Sequence, residues 1–253
     1  MGKGMSDAIS SSEMRALELN AEYLGVSPAQ LMENAGCAVS REIISRFKSE
    51  KNRIAVFSGV GRKGGDGFVA ARHLASLGYR VTVVLIGNPQ DIKAKVVQDN
   101  LRSILSMSHS VETIIAHDSS LIPSLNVDVV VDALLGIGAI GPLRPPLLQA
   151  VKTINKSKAF KVAIDLPTGV NPDNGQILGD AVVADLTVSF HRPKVGLLNA
   201  SKYVGELSVA SIGIPKEAGT YVGPGDVLIV RKPRPSESHK GDFGRLLIIG
   251  GNE

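Results

Sequence analysis

From residue 53 onward, short runs of β-branched residues alternate with stretches whose apolar positions recur at helical spacing. This alternation predicts strands at residues 54–57, 81–86, 111–115, 127–133 and 162–164. Between the strands it predicts helices at residues 69–77, 92–105 and 146–154. Two more strands are expected to extend the sheet without long helices between them, at residues 186–190 and 207–212. Apolar strands that alternate with helices are typical of an α/β fold that is Rossmann-like and doubly wound, with a mostly parallel sheet.

Two extra N-terminal helices are predicted ahead of the first strand. Ser27 supplies a capping hydroxyl, Pro28 suits the first helical turn, and Gln30 lies three residues after the cap. A helix is therefore predicted over residues 28–46. Residues 13–24 carry further apolar residues at helix-compatible spacing, which predicts another helix before it.

The character of the chain changes after residue 215. Residues 231–240, with the sequence RKPRPSESHK, are rich in proline and charge, which indicates a linker. Residues 245–249 predict one more strand, and a lone strand does not make a domain. We therefore expect one domain over residues 1–225, followed at 226–253 by a linker and a truncated first strand of another domain.

Composition narrows the classes of partner. The net charge of +4 comes without a Lys/Arg run and aromatic residues make up only 4% of the chain, so no nucleic acid partner is expected. Residues 1–6 hold no apolar signal-peptide core, and the most apolar segment, 127–143, is interrupted by Asp128 and Asp132. We expect no membrane partner and a cytoplasmic location.

Ligands of open α/β sheets bind beyond the carboxyl ends of the strands, so the loops after strands are the first places to look for a site. Residues 59–67, GVGRKGGDG, follow the first strand and open a helix, where backbone N–H groups can receive a phosphate. A hydride-transferring dehydrogenase would also place an acid at the end of the second strand to hold a ribose. That strand ends at Ile86-Gly87-Asn88, which counts against a dehydrogenase.

Two more loops combine glycine with carboxylates. Residues 132–142 read DALLGIGAIGP and residues 165–169 read DLPTG. Glycine lets the backbone approach a ligand closely. We expect Asp66, Asp132 and Asp165 to converge on one cleft; the alternative is that each of them caps a helix or a turn.

Together with the segment LMENAG at residues 31–36, these three loops resemble the YjeF N-terminal domain family, whose enzymatic members are NAD(P)H-hydrate epimerases. The resemblance covers about residues 11–215 and depends on four motifs in the right order. Lys194, in the segment RPKVG, also fits the pattern of that family.

The resemblance implies an epimerase of nicotinamide cofactor repair that interconverts the R and S forms of the hydrated cofactors NADHX and NADPHX. It implies a catalytic role for Asp165, whose carboxylate suits proton transfer at a carbon that bears a hydroxyl and a ring nitrogen. It also implies that the small-molecule substrate contacts Arg62, Lys63, Gly64, Gly65, Asp66, Gly136, Ile137, Gly138, Ala139, Ile140, Gly141, Pro142 and Asp165. A homodimer is compatible with the resemblance.

A potassium ion is the cofactor that the resemblance implies, held by residue 63 with Asp132 and Thr168. The family usually has an Asn-Asn pair where this chain has Arg62-Lys63. An asparagine offers a carbonyl oxygen to a cation, whereas an ammonium group has no lone pair to offer and repels one. We expect the Lys63 ammonium to occupy the region of the ion, near Asp132 and Thr168. The alternative is that Lys63 points to solvent, as most lysines do.

Two other functional interpretations bear on the same sequence. Residues 238–251 resemble the opening of the ADP-dependent NAD(P)H-hydrate dehydratase domain that follows the epimerase in bifunctional members, and no dehydratase activity is expected from this strand alone. A non-catalytic binding or dimerisation scaffold, as in the enhancer-of-decapping proteins, is the alternative to an enzyme. The three aspartates favour the enzyme, and the Arg62-Lys63 pair favours the scaffold.

Overall fold

A parallel β-sheet organises the chain in the computed structural model, which describes residues 7–124, 126–138, 141–230, 237–243, 247, 250 and 251. Across these residues the strands are β1 (Arg53–Ser58), β2 (Arg80–Ile86), β3 (Val111–Ala116), β4 (Val129–Ala133), β5 (Phe160–Ile164), β6 (Leu186–Phe190) and β7 (Glu206–Ala210). Their order in the sheet is β3-β2-β1-β4-β5-β6-β7, and every pair is parallel. The predicted Rossmann-like fold is confirmed, with a sheet that is wholly rather than mostly parallel.

Helices cover both faces of the sheet. The longer ones are α1 (Ser11–Tyr23), α2 (Pro28–Arg46), α3 (Arg62–Ser76), α4 (Lys95–Ser106) and α5 (Leu147–Lys156). The shorter ones are α6 (Val195–Asn199), α7 (Ser201–Val204), α8 (Glu217–Thr220) and α9 (Pro224–Val230). Successive strand residues point to opposite faces, so Val56 packs under α2, α3 and α4 while Phe57 packs under α5. No helix in the described ranges is long and apolar enough to cross a bilayer.

The two N-terminal helices are present as predicted, and α2 has the predicted bounds. The Ser27 hydroxyl accepts a hydrogen bond from the backbone N–H of Gln30, whose side chain accepts one from the Ser27 backbone. Helix α2 then packs against α3 at glycine positions. A Cβ on Gly36 would lie 2.5 Å from the Cβ of Val69, and one on Gly65 would lie 2.6 Å from the Met32 sulfur. Glycine at both places lets the two helices approach.

The glycine-rich segment after β1 is mostly helix, whereas the sequence predicted a loop through residue 67 and a helix from 69. Helix α3 already begins at Arg62. The prediction was wrong because glycine lowers intrinsic helix propensity, and packing overrides that preference here. A Cβ on Gly64 would lie 1.9 Å from the Gly59 carbonyl oxygen, and one on Gly67 would lie 2.5 Å from the Cβ of Ala133. The glycines seat the first turns of α3 directly on the sheet.

Helices α8 and α9 follow β7, where the sequence analysis predicted no helix. Asn20 on α1 is buried and holds both of them. Its Nδ2 donates to the Ala218 carbonyl at 2.9 Å and to Asp226 Oδ2 at 2.8 Å, and its Oδ1 accepts from the Gly225 N–H at 2.8 Å. The domain boundary predicted at residue 225 therefore falls inside a helix that packs on α1. Residues 231–236 of the predicted linker at 231–240 lie outside the described residues, and so does the predicted strand at 245–249 apart from Leu247.

We expect two truncations to separate the role of α9 from that of the tail. Deleting residues 231–253 should leave the melting temperature nearly unchanged, because the packing of α9 on α1 is kept. Deleting residues 224–253 removes two partners of the buried Asn20 amide, and each unsatisfied group costs about 1–3 kcal/mol. In a domain of this size, each kcal/mol of lost stability lowers the melting temperature by roughly 2–4 °C. Equal melting temperatures for the two fragments, measured by circular dichroism, would contradict this role of α9.

Candidate functional site

A cavity of about 630 Å³ opens at the carboxyl ends of the central strands, between α1, α2 and α3. Three of the predicted loops contribute to its lining. The predicted site residues that line it are Arg62, Lys63, Asp66, Gly136, Ile137, Gly138 and Asp165. The predicted loops therefore meet at one cavity at the carboxyl edge of the sheet.

Other predicted site residues lie elsewhere. Asp132 and Thr168 are 1% and 0% exposed and lie beneath the cavity, where they hydrogen-bond to Lys63, Leu134 and Leu135 of its lining. Gly64 and Gly65 are buried where α3 packs on its neighbours. Of the residues that the structure describes in the second loop, Gly141 and Pro142 are not among those lining the cavity. Ala139 and Ile140 lie outside the described residues.

Asp165 lies at the end of β5 with a backbone φ of 63°, in the left-handed region that few non-glycine residues adopt. Residues held in this way cluster at functional sites, where the surrounding structure fixes them. Its side-chain oxygen Oδ1 accepts a hydrogen bond from the Phe190 N–H at 3.2 Å and one from the Lys194 ammonium. In the described part of the chain, the hydrogen bonds of this carboxylate all fall on Oδ1. Oδ2 therefore has no protein donor.

Lys194 is completely buried and fixes the Asp165 carboxylate. Its ammonium also donates to the Phe190 carbonyl at 3.0 Å. A buried cation with an anionic partner is held far more tightly than a surface pair, because removing either partner leaves an uncompensated charge. Lys194 is therefore a positioning residue for Asp165.

Four carboxyl groups line the cavity, those of Glu18, Glu22, Asp66 and Asp165, and two of them act on the protonation of Asp66. Burial raises the pKa of Asp66 well above its usual value, and the nearby charges of Asp165 and Glu18 raise it further. Burial is also the main cause of the raised pKa of Glu18, which the Arg62 guanidinium opposes. Carboxyl groups that share a site cannot all ionise easily, so burial and the neighbouring negative charges favour the protonated form of Asp66. Asp66 therefore keeps its proton to a higher pH than an exposed aspartate does.

We expect Asp66→Asn to change how stability depends on pH. The unfolded chain loses this proton near pKa 3.8, whereas the folded protein keeps it to higher pH. The folded state therefore binds more protons in that window, and the free energy of unfolding falls as pH rises from the unfolded pKa to the raised folded pKa. Asparagine does not titrate, so the free energy of unfolding of the variant should fall less over this pH range than that of the wild type. Urea unfolding across acidic and neutral pH measures this free energy, and Asp91→Asn, at an exposed position, is the control. An Asp66→Asn curve that declines as steeply as that of the wild type would contradict the assignment.

The mouth of the cavity is suited to an anion. The N-terminus of α3 opens there, and its first residue, Arg62, has a side chain that is 65% exposed. Backbone N–H groups and the dipole at such an end attract phosphate. Arg15 on α1 adds a second guanidinium group, which donates to the Ile137 carbonyl at 3.2 Å. A phosphate-bearing ligand can therefore enter with its charge at α3 and an uncharged part inside the cavity.

Lys63 is buried, with 5% of its surface exposed, and its ammonium lies among oxygen atoms. It donates to Asp132 Oδ2, the Thr168 hydroxyl and the Leu135 carbonyl, each at 3.1 Å, and to the Leu166 carbonyl at 2.7 Å. Burial lowers the pKa of Lys63, and the negative charge of Asp132 opposes that change. The alternative in which Lys63 points to solvent is wrong.

These residues do not fit a bound potassium ion. Carboxylate, hydroxyl and carbonyl oxygens are suitable ligands for a hard cation. The ammonium nitrogen of Lys63, however, already lies at hydrogen-bond distance from Asp132, Thr168 and both carbonyls. A second cation cannot share that position, for both steric and electrostatic reasons.

Sequence reasoning missed Glu18 and Arg15 as site residues, and it noted Lys194 only through the family pattern. The spacing of Met14, a buried residue that lines the cavity, and Glu18 is one helical turn, so the carboxylate shares the inward face of α1. The sequence signal that could have identified Glu18 is a charged residue on an otherwise apolar face of a helix. Nothing comparable in the sequence marked Arg15.

Comparison with known proteins identifies the family to which the chain belongs. The sequence model of the family described as YjeF-related protein N-terminus matches residues 28–196. The bifunctional NAD(P)H-hydrate repair enzyme Nnr of Hyperthermus butylicus is 44% identical over 99% of this chain and 46% of its own length. The chain thus spans about half the length of the bifunctional relatives that it matches.

Shorter relatives are covered almost completely. The NAD(P)H-hydrate epimerase of Cenarchaeum symbiosum is 40% identical over 83% of this chain and 97% of its own length. The crystal structure of the yeast protein ynu0, YNL200c, superimposes with a TM-score of 0.67 at 23% identity, over 91% of this chain and 96% of that one, which supports the fold. On the family match and these identities, the chain belongs to the YjeF-related protein N-terminus family.

Proposed function

We propose that the chain is an NAD(P)H-hydrate epimerase that interconverts the R and S forms of NADHX and NADPHX. The observation that carries the proposal is Asp165, a carboxylate fixed at the cavity by Lys194, whose Oδ2 accepts from no donor among the described residues. Relatives named NAD(P)H-hydrate epimerase support it, since the chain spans 97% of the length of two of them at 40% and 36% identity.

The reaction inverts a carbon that bears both a hydroxyl group and a ring nitrogen. It proceeds either by loss of the hydroxyl as water to leave an iminium ion, or by opening of the carbon–nitrogen bond to leave an aldehyde. Both routes need one carboxyl that gives a proton to the leaving atom and one carboxylate that takes a proton from oxygen. In the iminium route the carboxylate takes its proton from the water that adds on the opposite face, and proton exchange between the two groups then restores their starting states. In the ring-opening route, closure on the opposite face of the aldehyde returns both protons. No net oxidation or reduction occurs.

Two carboxyl groups at the cavity fit these two roles. Asp66 has a raised pKa and keeps its proton, so we assign it as the donor. Asp165 is held in an ion pair with Lys194, so we assign it as the acceptor. Groups with opposite protonation states in one site are the usual arrangement for acid–base catalysis. The Lys194 ammonium, bound to Oδ1, leaves Oδ2 for the substrate.

The dinucleotide part of the substrate accounts for the rest of the site. Its phosphates carry negative charge, which suits the α3 N-terminus together with Arg62 and Arg15. The hydrated ring would lie deeper, where Leu134 and Phe190 contribute apolar lining. This orientation places the reacting carbon beside the carboxyl groups and the phosphates near solvent.

The proposed activity is tested by mixing purified protein with the R epimer of NADHX and following the S epimer by chromatography. The R epimer in buffer alone gives the spontaneous rate. We expect the protein to accelerate equilibration of the two epimers without changing the final ratio, because a catalyst leaves the equilibrium unchanged. A parallel assay with NADPHX gives the preference between the two cofactors. Conversion no faster than in buffer would refute the proposal.

A binding or dimerisation scaffold is the second candidate. Exposed apolar side chains around α9 favour it, with Val222 at 88% and Val230 at 73% exposure. Apolar patches of this kind mark contact surfaces when they are large enough. A homodimer stays a prediction, which light scattering tests. A scaffold predicts no epimerisation above the buffer rate, so the same assay separates the two functions.

A further inference from the structure

We propose that the Lys63 ammonium is a cation built into the chain, which takes the place of a bound potassium ion and makes the protein independent of potassium. The proposal concerns the buried oxygen cluster formed by Asp132, Thr168 and the carbonyls of Leu135 and Leu166. It does not depend on the proposed epimerase activity, because the cluster and its cation can be tested through stability and chemical reactivity.

The contacts join three separate parts of the fold. Lys63 comes from the first turn of α3, Asp132 from the end of β4, and Leu135 from the loop after β4. Leu166 and Thr168 come from the loop after β5. The ammonium thus links the segments that surround the cavity. An ion bound by several protein oxygens would provide the same kind of link.

The hydrogen-bond directions favour a positive charge at this position. The Thr168 hydroxyl donates to Asp132 Oδ1 at 2.6 Å and accepts from the Leu135 N–H at 3.0 Å, so its proton points away from Lys63. The other three atoms around the Lys63 nitrogen are carboxylate or carbonyl oxygens, which only accept. A neutral amine would aim its lone pair at one of these oxygens. The charged form instead gives three donors to four acceptors.

Covalent attachment distinguishes this cation from a dissolved one. A free ion stabilises a protein in proportion to RT ln(1 + [ion]/Kd), so stability then depends on its concentration. A tethered ammonium is present in every molecule, and no such dependence remains. An asparagine at position 63 would remove the charge, leave space, and offer a carbonyl oxygen as a ligand.

The test compares melting temperatures in potassium chloride and in N-methylglucamine chloride at equal ionic strength. We expect the wild type to melt at the same temperature in both salts. Lys63→Asn should be less stable than the wild type in N-methylglucamine, and potassium should stabilise it in a saturable way. At ten times its Kd, potassium should raise the melting temperature by roughly 3–6 °C. Lys48→Asn, which changes an exposed lysine between α2 and β1, is the matched control and should behave as the wild type.

Two results would overturn the proposal. One is a wild type that potassium stabilises specifically, since the cation would then come from solution. The other is a Lys63→Asn variant as stable as the wild type and indifferent to potassium, since the cluster would then need no cation.

A measurement on the wild type covers the case in which Lys63→Asn does not fold. Reductive methylation of the folded protein, followed by peptide mass spectrometry, should leave Lys63 unmodified while exposed Lys48 reacts. Methylation of both lysines at similar rates would place Lys63 in solvent and contradict the proposal.

Discussion

Asp165→Asn is expected to slow epimerisation by about two to four orders of magnitude, the usual contribution of a general acid or base. The asparagine side chain keeps the shape of the aspartate and can still accept from the Phe190 N–H, but it cannot take up a proton. Turnover of the R epimer of NADHX measured by chromatography gives the loss. A variant that keeps the wild-type rate would remove Asp165 from the mechanism.

Stability must be measured beside activity in this experiment. The position of Asp165 on a loop suggests no cost to the fold, yet its carboxylate neutralises the fully buried Lys194. Losing that charge leaves a buried cation unpaired, so the single variant should melt earlier than the wild type. The double variant Asp165→Asn/Lys194→Met removes the unpaired cation and should regain stability while staying inactive. Recovery of activity together with stability would show that the single variant was merely unfolded.

Local patterns were sufficient to predict most of the fold. Strand β1 was predicted at 54–57 and occupies Arg53–Ser58, because a buried parallel strand is a continuous run of apolar, mostly β-branched residues. Helix α2 was predicted with its observed bounds, since Ser27 and Gln30 form a capping box that sequence spacing reveals. Signals of this kind lie within a few neighbouring residues, so no knowledge of the rest of the chain is needed to read them.

The errors came where distant contacts decide local structure. The first turns of α3 contain glycines that disfavour a helix in isolation, and tertiary contacts with the Gly59 carbonyl and the Met32 and Ala133 side chains explain them. Helix α9 is short and depends on Asn20, which lies about two hundred residues earlier. Short helices owe most of their stability to packing, so propensity alone does not predict them.

For the site, the sequence identified the loops but not the side-chain geometry. Asp66 and Asp165 reach the cavity as expected, whereas Asp132 lies beneath it and acts through Lys63. Asp132 also accepts from the Leu134 N–H at 3.1 Å, so it fixes a turn as the alternative interpretation held. Asp132 therefore both pairs with Lys63 and fixes a turn. Glu18 escaped prediction because it reaches the cavity from α1 rather than from a strand end.

Asp132→Asn is expected to have the largest effect on stability, a loss of about 3–5 kcal/mol, because it leaves a buried ammonium without its counter-charge. Both carboxylate oxygens are used. Oδ1 accepts from the Leu134 N–H and the Thr168 hydroxyl, and Oδ2 accepts from the Thr168 N–H at 2.7 Å and from Lys63. Asparagine has only one accepting oxygen, so its NH₂ group must face two donors in either orientation. Denaturant unfolding followed by circular dichroism measures the loss.

Asp128→Asn provides the matched control. Asp128 precedes the same strand at its opposite, exposed end, and among the described residues its side chain accepts only from the Arg53 N–H, at 2.7 Å. The free energy of unfolding of this control variant should fall by only ~1 kcal/mol, the contribution of an ordinary hydrogen bond.

Combining Asp132→Asn with Lys63→Met removes the unpaired buried charge. The double variant should therefore be more stable than the sum of the two single losses predicts. Additive losses, or an Asp132→Asn variant no less stable than Asp128→Asn, would show that the pair is not coupled. A clear coupling would instead mean that charge neutralisation between α3 and β4 is what this buried cluster contributes to the fold.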